Sequence, residues 1–134
     1  MGYGNAEVFL SAEEREALIA RYLGQRVTVT VDRPVGFHHV TKGIHLDYTI
    51  NYGFLPGVIG GDGEEQDVYI LGIAEPVERF TGLVIGAVRR RDDNEDKLIA
   101  APEGLELTAE QMAEAIHFVE KYFDSTVESI YDRM

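Results

Sequence analysis

The sequence predicts a mainly β, α+β fold: a five-stranded antiparallel β-barrel with flanking helices. Val27, Val29 and Val31 alternate with Thr28, Thr30 and Asp32, the two-residue period of a strand with one buried face. Further strand candidates are Tyr48 to Tyr52, Asp67 to Leu71, Phe80 to Arg90 and Lys97 to Ala101, separated by glycine- and acid-rich turns. Short strands at close spacing favour a closed antiparallel sheet. Two capping boxes, Ser11-Ala12-Glu13-Glu14 and Thr108-Ala109-Glu110-Gln111, mark helix starts outside the strand region.

The first helix begins near Ala12, carries Leu18, Ile19, Tyr22 and Leu23 at helical spacing and closes at Gly24. The second sets Met112, Ala115, Ile116, Val119, Tyr122 and Phe123 on one face, which should pack against the barrel. A chain of 134 residues with 45% hydrophobic and 27% charged residues suits one core. No repeat, low-complexity tract or linker divides it, so residues 1–134 are expected as a single domain, with 1–24 a helical appendage and 25–134 the barrel.

A formal net charge of −12 disfavours nonspecific binding to nucleic acid or anionic membranes, and no apolar run approaches a membrane span. The first residues lack a basic region followed by an apolar core, so a cytoplasmic location is expected. With no cysteine, thiolate metal sites and cysteine nucleophiles are excluded. Any metal must be held by oxygen or imidazole.

Gly60-Gly61-Asp62-Gly63-Glu64-Glu65-Gln66-Asp67 sets four carboxylates beside three glycines, directly before the apolar run Val68-Tyr69-Ile70-Leu71. Glycine frees the backbone to turn several acids toward one point, and a divalent cation would relieve their repulsion. The ligand alternation of an EF-hand loop is absent, which favours Mg²⁺ over Ca²⁺. A solvent-facing acidic turn has the same composition, so this segment alone fits either. A second charged turn, Arg89-Arg90-Arg91-Asp92-Asp93-Asn94-Glu95-Asp96-Lys97, also lies between strands. If both turns open at one mouth of the barrel they can hold more than one cation, with Lys97 and an arginine on phosphate oxygens. A hairpin of mutually satisfied surface charges is the alternative.

Asp47-Tyr48-Thr49-Ile50-Asn51-Tyr52-Gly53-Phe54-Leu55-Pro56-Gly57 resembles the Tyr-Pro-x-Asn-Tyr-Gly-(Tyr/Phe)-(Ile/Leu)-Pro segment of the family I soluble inorganic pyrophosphatases. The likeness continues in family order. Asp62-Gly63-Glu64-Glu65-Gln66-Asp67-Val68 is similar to the Asp-Gly-Asp-Pro-(apolar)-Asp-Val signature, and Asp92 through Lys97-Leu98-Ile99-Ala100-Ala101-Pro102 to the later acidic turn and its strand. Ile116 to Tyr122 is a softer match to a helix ending in a phosphate-binding tyrosine. The resemblance covers roughly residues 27 to 123 and implies an OB-like five-stranded barrel with flanking helices.

It also implies an inorganic diphosphatase that hydrolyses pyrophosphate to two phosphates by attack of a Mg²⁺-activated water, with Mn²⁺ as the alternative ion. Asp62 and Asp67 would ligate the first metal, Asp67 bridging to a second; Asp92 and Asp96 would ligate from the later turn, with Glu95 the alternative to Asp96. Lys97, Tyr52 and Tyr122 would contact substrate phosphate, Tyr52 ahead of Tyr122 and Tyr48, because a tyrosine on a strand or helix face is usually core. Glu64 stands where the family has the aspartate that orients or deprotonates the water, a change of one methylene. A homo-oligomer is compatible with the resemblance.

Besides Glu64, the chain departs from the family in two further places. Pro34 to His45 is shorter and differently composed than the region that supplies basic and acidic ligands, and Phe123 stands where a phosphate-binding lysine is found. His38, His39 and His45 are candidate replacements there, with Arg33, Lys42 and Arg89 to Arg91 as further cations. Two other readings remain open: a metal-dependent hydrolase of another phosphoanhydride, such as a nucleoside or other organic one, or a catalytically degenerate barrel that binds metal or phosphate.

Overall fold

The computed structural model describes residues 9–133. Helix α1 (Ala12–Tyr22) starts on the expected capping box, with the Ser11 hydroxyl accepting from the Glu14 amide. Strands β1 (Arg26–Arg33), β2 (His38–Thr41), β3 (Ile44–Asp47), β4 (Asn51–Ile59), β5 (Glu65–Ile70), β6 (Arg79–Arg90) and β7 (Lys97–Ala101) come next along the chain. Helix α2 (Ala109–Glu120), capped by Thr108, then precedes β8 (Ser125–Ser129) and a short 3₁₀ turn.

Five strands close on themselves in the order β1-β4-β5-β7-β6, and β6 returns to β1. This is the expected OB-like five-stranded barrel, but mixed where the sequence predicts a wholly antiparallel one: four seams are antiparallel and one, β5 against β7, is parallel. The parallel seam registers Val68 with Leu98, so the acidic loop before β5 and the charged turn before β7 enter the barrel at the same end.

The two-residue period sorts side chains cleanly. Val29, Val68, Ile70, Val84, Leu98 and Ala100 face the barrel interior, while Tyr52, Tyr69, Ile85 and Ile99 face outward beneath Met112, Ile116 and Val119 of α2. Ile19 of α1 is only 2% exposed and belongs to the interior cluster. The helix expected as an appendage therefore shares the barrel's core, and it is further tied by Glu16 to Arg89 at 2.7 Å.

Three elements differ from the sequence expectation. The strand expected over Tyr48 to Tyr52 starts instead at Asn51 and runs to Ile59, because a register shift between Phe54 and Ile59, with Gly57 at φ 80°, absorbs the Pro-Gly pair. The segment Pro34 to His45, to which the sequence assigns no strand, contains most of a hairpin, β2–β3, turned by Lys42 and Gly43 with φ 51° and 79°, the left-handed pair of a primed turn. Strand β8, which pairs with the second half of β6, has only five residues and no clear alternation to announce it. Among the described residues no helix is long and apolar enough to cross a membrane.

Candidate active site

The Asn51-Tyr52-Gly53 core of the first motif divides its work among three residues. Asn51 is fully buried; its carboxamide oxygen accepts from the amides of Val35 and Val77 at 3.0 and 3.3 Å, and its nitrogen donates to the carbonyl of Glu75 at 3.0 Å. It knits two loops to the start of β4. Gly53 lies so close to β1 that a Cβ would stand 1.9 Å from the carbonyl oxygen of Thr30, so no side chain fits there. Tyr52, between them, points outward to the mouth where β5 and β7 begin.

There the outward alternation that gives Tyr69 and Ile99 gives Asp67 and Lys97 two residues earlier. The Lys97 ammonium, on a side chain 4% exposed, donates to Asp67 Oδ2 at 2.7 Å and to the Tyr52 hydroxyl at 2.8 Å. Burial, and then the Asp67 charge, push the Tyr52 pKa far above that of free tyrosine, so Tyr52 stays a neutral phenol. These three groups lie in a cavity of about 540 Å³. Asp62, Glu64 and Glu95 line it from the two turns, Asp32 and Arg33 from the end of β1, and Tyr122 and Phe123 from the segment after α2. The hairpin supplies the facing wall through His39, Thr41, Lys42, Ile44 and Leu46.

Of the residues nominated from sequence, Asp62, Glu64, Asp67, Tyr52, Lys97 and Tyr122 line this one cavity. Asp92 and Asp96 do not. Asp92 is exposed and accepts from the Asp124 amide at 3.0 Å. Asp96 takes the inward parity of the strand beside it: both of its oxygens are held by Arg15, at 2.7 and 2.8 Å, and Oδ1 also accepts from the Arg90 amide. Glu95, the alternative to Asp96, faces the cavity. Its pKa is raised, by burial first and then by the neighbouring Asp62 carboxyl, against the pull of Lys97.

The arginine run is committed to acids. Arg89 pairs with Glu16 and Glu128, Arg91 with Asp124, and Arg90 forms a double hydrogen bond with buried Glu120 at 2.7 and 3.1 Å. Tyr69 donates to the same carboxylate at 2.5 Å, and the Phe123 ring lies 3.6 Å from the Arg90 guanidinium. Phe123 thus covers a cation where the family pattern has one of its own. Of the histidines, His39 lines the cavity, whereas His38 contacts Asp47 at 2.6 Å and His45 at 3.1 Å. Asp32 carries no signal in the sequence beyond being a polar position of β1, and Arg33, a cation without a role there, donates to the Tyr48 hydroxyl at 2.7 Å and lies over the Tyr48 and Tyr52 rings.

The donors at the mouth suit a hard cation. Asp32, Asp62, Asp67 and Glu95 offer oxygen alone, the donor chemistry of Mg²⁺ or Mn²⁺. Among the described residues no three such groups are drawn close enough to enclose an ion, Asp67 being held by Lys97. The set fits a divalent cation in kind.

A family model for inorganic pyrophosphatase matches residues 23–131. The chain belongs to the inorganic pyrophosphatase family. Solved structures of inorganic pyrophosphatases share its fold. The one from Ehrlichia chaffeensis has 16% identity, covers 81% of this chain and 88% of its own, and gives a TM-score of 0.59. Those from Coxiella burnetii and Helicobacter pylori each have 18% identity, cover 81% of this chain and 85% and 84% of their own, and give 0.56 and 0.55. No curated protein matches the chain. As a member of a pyrophosphatase family the protein is a hydrolase of the phosphoanhydride type, and α1 lies ahead of the matched stretch.

Proposed function

We propose that this protein is an inorganic diphosphatase that hydrolyses pyrophosphate to two phosphates with Mg²⁺, or Mn²⁺ in its place, at the mouth between β5 and β7. The observation that carries this reading is the contact of Lys97 with both Asp67 and Tyr52 inside a cavity rimmed by acids, in a chain of the pyrophosphatase family. Asp62, Asp67 and Glu95, with Asp32 across the mouth, would hold the cations. When bound, they neutralise phosphate charge and lower the pKa of the attacking water.

The remaining work falls to the chain. Lys97 offers a nearly buried ammonium, worth more to a phosphate oxygen than one in water, and releasing it from Asp67 frees that carboxylate for a cation. Tyr52, kept neutral, retains a phenolic proton to donate to phosphate. Arg33 and Lys42 lie across the cavity, where they could offset the charge of the leaving group. Glu64 is exposed at the rim, so its extra methylene gives reach toward the water at some loss of fixed geometry. Phosphate release from pyrophosphate, measured with Mg²⁺ and again after chelation, tests the proposal; absence of metal-dependent release overturns it.

One observation favours a second reading, an organic phosphoanhydride as substrate. Ile44, Leu46 and Val119 make an apolar wall beside Tyr122, and pyrophosphate has no carbon to set against it. A panel of organic diphosphates decides: if pyrophosphate is cleaved at least as fast as every one of them, this reading fails.

A further inference from the structure

Helix α1 precedes the stretch that the family comparison covers, yet one of its side chains reaches both acidic segments of the site. Arg15 Nε and Nη2 grip Asp96 at 2.8 and 2.7 Å, and Nη2 donates to the carbonyl oxygens of Arg90 and Asp93, each at 3.1 Å. Those carbonyls lie at the start and middle of the turn between β6 and β7. The acidic loop lies against the same arginine: a Cβ on Gly61 would stand 3.2 Å from Arg15 Cγ and 2.4 Å from the Asn94 carbonyl oxygen. The Gln66 side chain completes the clasp, donating to the carbonyls of Asp96 at 2.7 Å and Asp67 at 3.0 Å.

Asp96 sits between Glu95 and Lys97, and both neighbours line the cavity while Asp96 turns away from it. Of the acids that crowd this turn, Asp93 and Glu95 are met by Arg90 at 3.3 and 3.4 Å, whereas Asp96 is paired with Arg15. A guanidinium that binds one of those acids bidentately and two carbonyls besides fixes the path of the backbone, and so the direction of the residues on either side.

We propose that Arg15 is a positioning residue, clasping the turn before β7 to the loop before β5 so that Glu95 and Lys97 are presented to the cavity together. It sets the cation affinity of the site without touching the cation. What the cavity binds rests on the function proposed above, but the ordering of the turn does not.

The test compares Arg15→Ala and Ile19→Ala with the wild-type protein. Ile19→Ala weakens docking of the same helix by removing apolar burial, and leaves the clasp in place. Three quantities are read: amide hydrogen exchange over 91–97, Mn²⁺ affinity by titration calorimetry, and the separate kcat and KM for pyrophosphate. Arg15→Ala should speed exchange in the turn and weaken Mn²⁺ by about tenfold or more, the usual effect of losing an outer-sphere partner. Ile19→Ala should lower the unfolding midpoint with turn exchange and Mn²⁺ affinity as in wild type. Wild-type exchange or Mn²⁺ affinity in Arg15→Ala overturns the proposal, as does no Mn²⁺ binding by wild type, or an equal Mn²⁺ loss in Ile19→Ala. If wild type does not cleave pyrophosphate, the proposed activity fails while the exchange and Mn²⁺ measurements still decide the role of Arg15.

Discussion

Lys97 and Asp67 meet at 2.7 Å because β5 and β7 run parallel, each residue standing one place before the registered pair Val68 and Leu98. An antiparallel seam would have sent the two preceding turns to opposite ends of the barrel. The single parallel seam thus brings two separate acidic segments to one mouth, with a nearly buried ammonium between them.

Lys97→Met keeps the length of the side chain and removes its charge. If the ammonium serves the transferred phosphate, turnover of pyrophosphate should fall about 10²–10³-fold, the usual cost of one preorganised charge donor, with the circular dichroism spectrum unchanged. A fall below tenfold would remove Lys97 from the site.

Arg90 lines the cavity and is held from behind by Glu120, the two side chains being 2% and 6% exposed. Glu120→Gln should destabilise the fold by up to about 3 kcal/mol, read from the denaturant midpoint, since it leaves the buried guanidinium only the longer contacts with Asp93 and Glu95, at 3.3 and 3.4 Å, as ion pairs. Burial opposes the Glu120 charge, but Arg90 and Tyr69 outweigh it and hold its pKa below the ordinary 4.5. A depressed carboxyl stabilises above its unfolded pKa, and that contribution is lost as pH falls through the folded value. The acid limb of the wild-type stability profile should therefore flatten in Glu120→Gln.

Glu95 has the opposite sign. Its folded pKa is raised, so its contribution is present below the ordinary 4.5 and is lost as pH rises through the folded value. In metal-free protein, Glu95→Gln should remove that loss and gain stability relative to wild type once the pH is above the raised folded pKa of Glu95. Adding Mg²⁺ should raise the wild-type melting temperature and leave Glu95→Gln less affected, because an ion bound only by the native state stabilises it by mass action. Thermal melts at two pH values, with and without Mg²⁺, check both.

Ile19 tests whether α1 and the barrel form one folding unit, as we propose. Truncation to alanine should cost about 2–5 kcal/mol with a single cooperative transition by both far-ultraviolet circular dichroism and tyrosine fluorescence. Two separate transitions would make the helix an independent appendage.

The legible parts of this chain are those with local causes. Both helices start where side-chain caps satisfy free amides, at Ser11 and Thr108, and β1, β6 and β7 arise from alternation and apolar runs. The β2–β3 hairpin escapes a reading of the sequence because its signal is a Lys42-Gly43 turn, less recognisable than Asn-Gly, flanked by histidines that read as polar loop. In the site, the motif pattern brings forward Asp62, Asp67, Tyr52 and Lys97, whereas the choice between Glu95 and Asp96 depends on parity relative to β7 and on Arg15, eighty-one positions away. Asp32 and Arg33 reach the cavity only because β1 pairs with β4, a nonlocal fact that no spacing encodes.

The acids and the ammonium at the β5–β7 mouth are proposed to act on pyrophosphate together. Phosphate release from pyrophosphate under saturating Mg²⁺ should be robust for wild type and reduced at least about a hundredfold for Asp67→Ala, compared at a temperature where circular dichroism shows both proteins folded. Release that is absent in wild type, or equal in the two proteins, contradicts it.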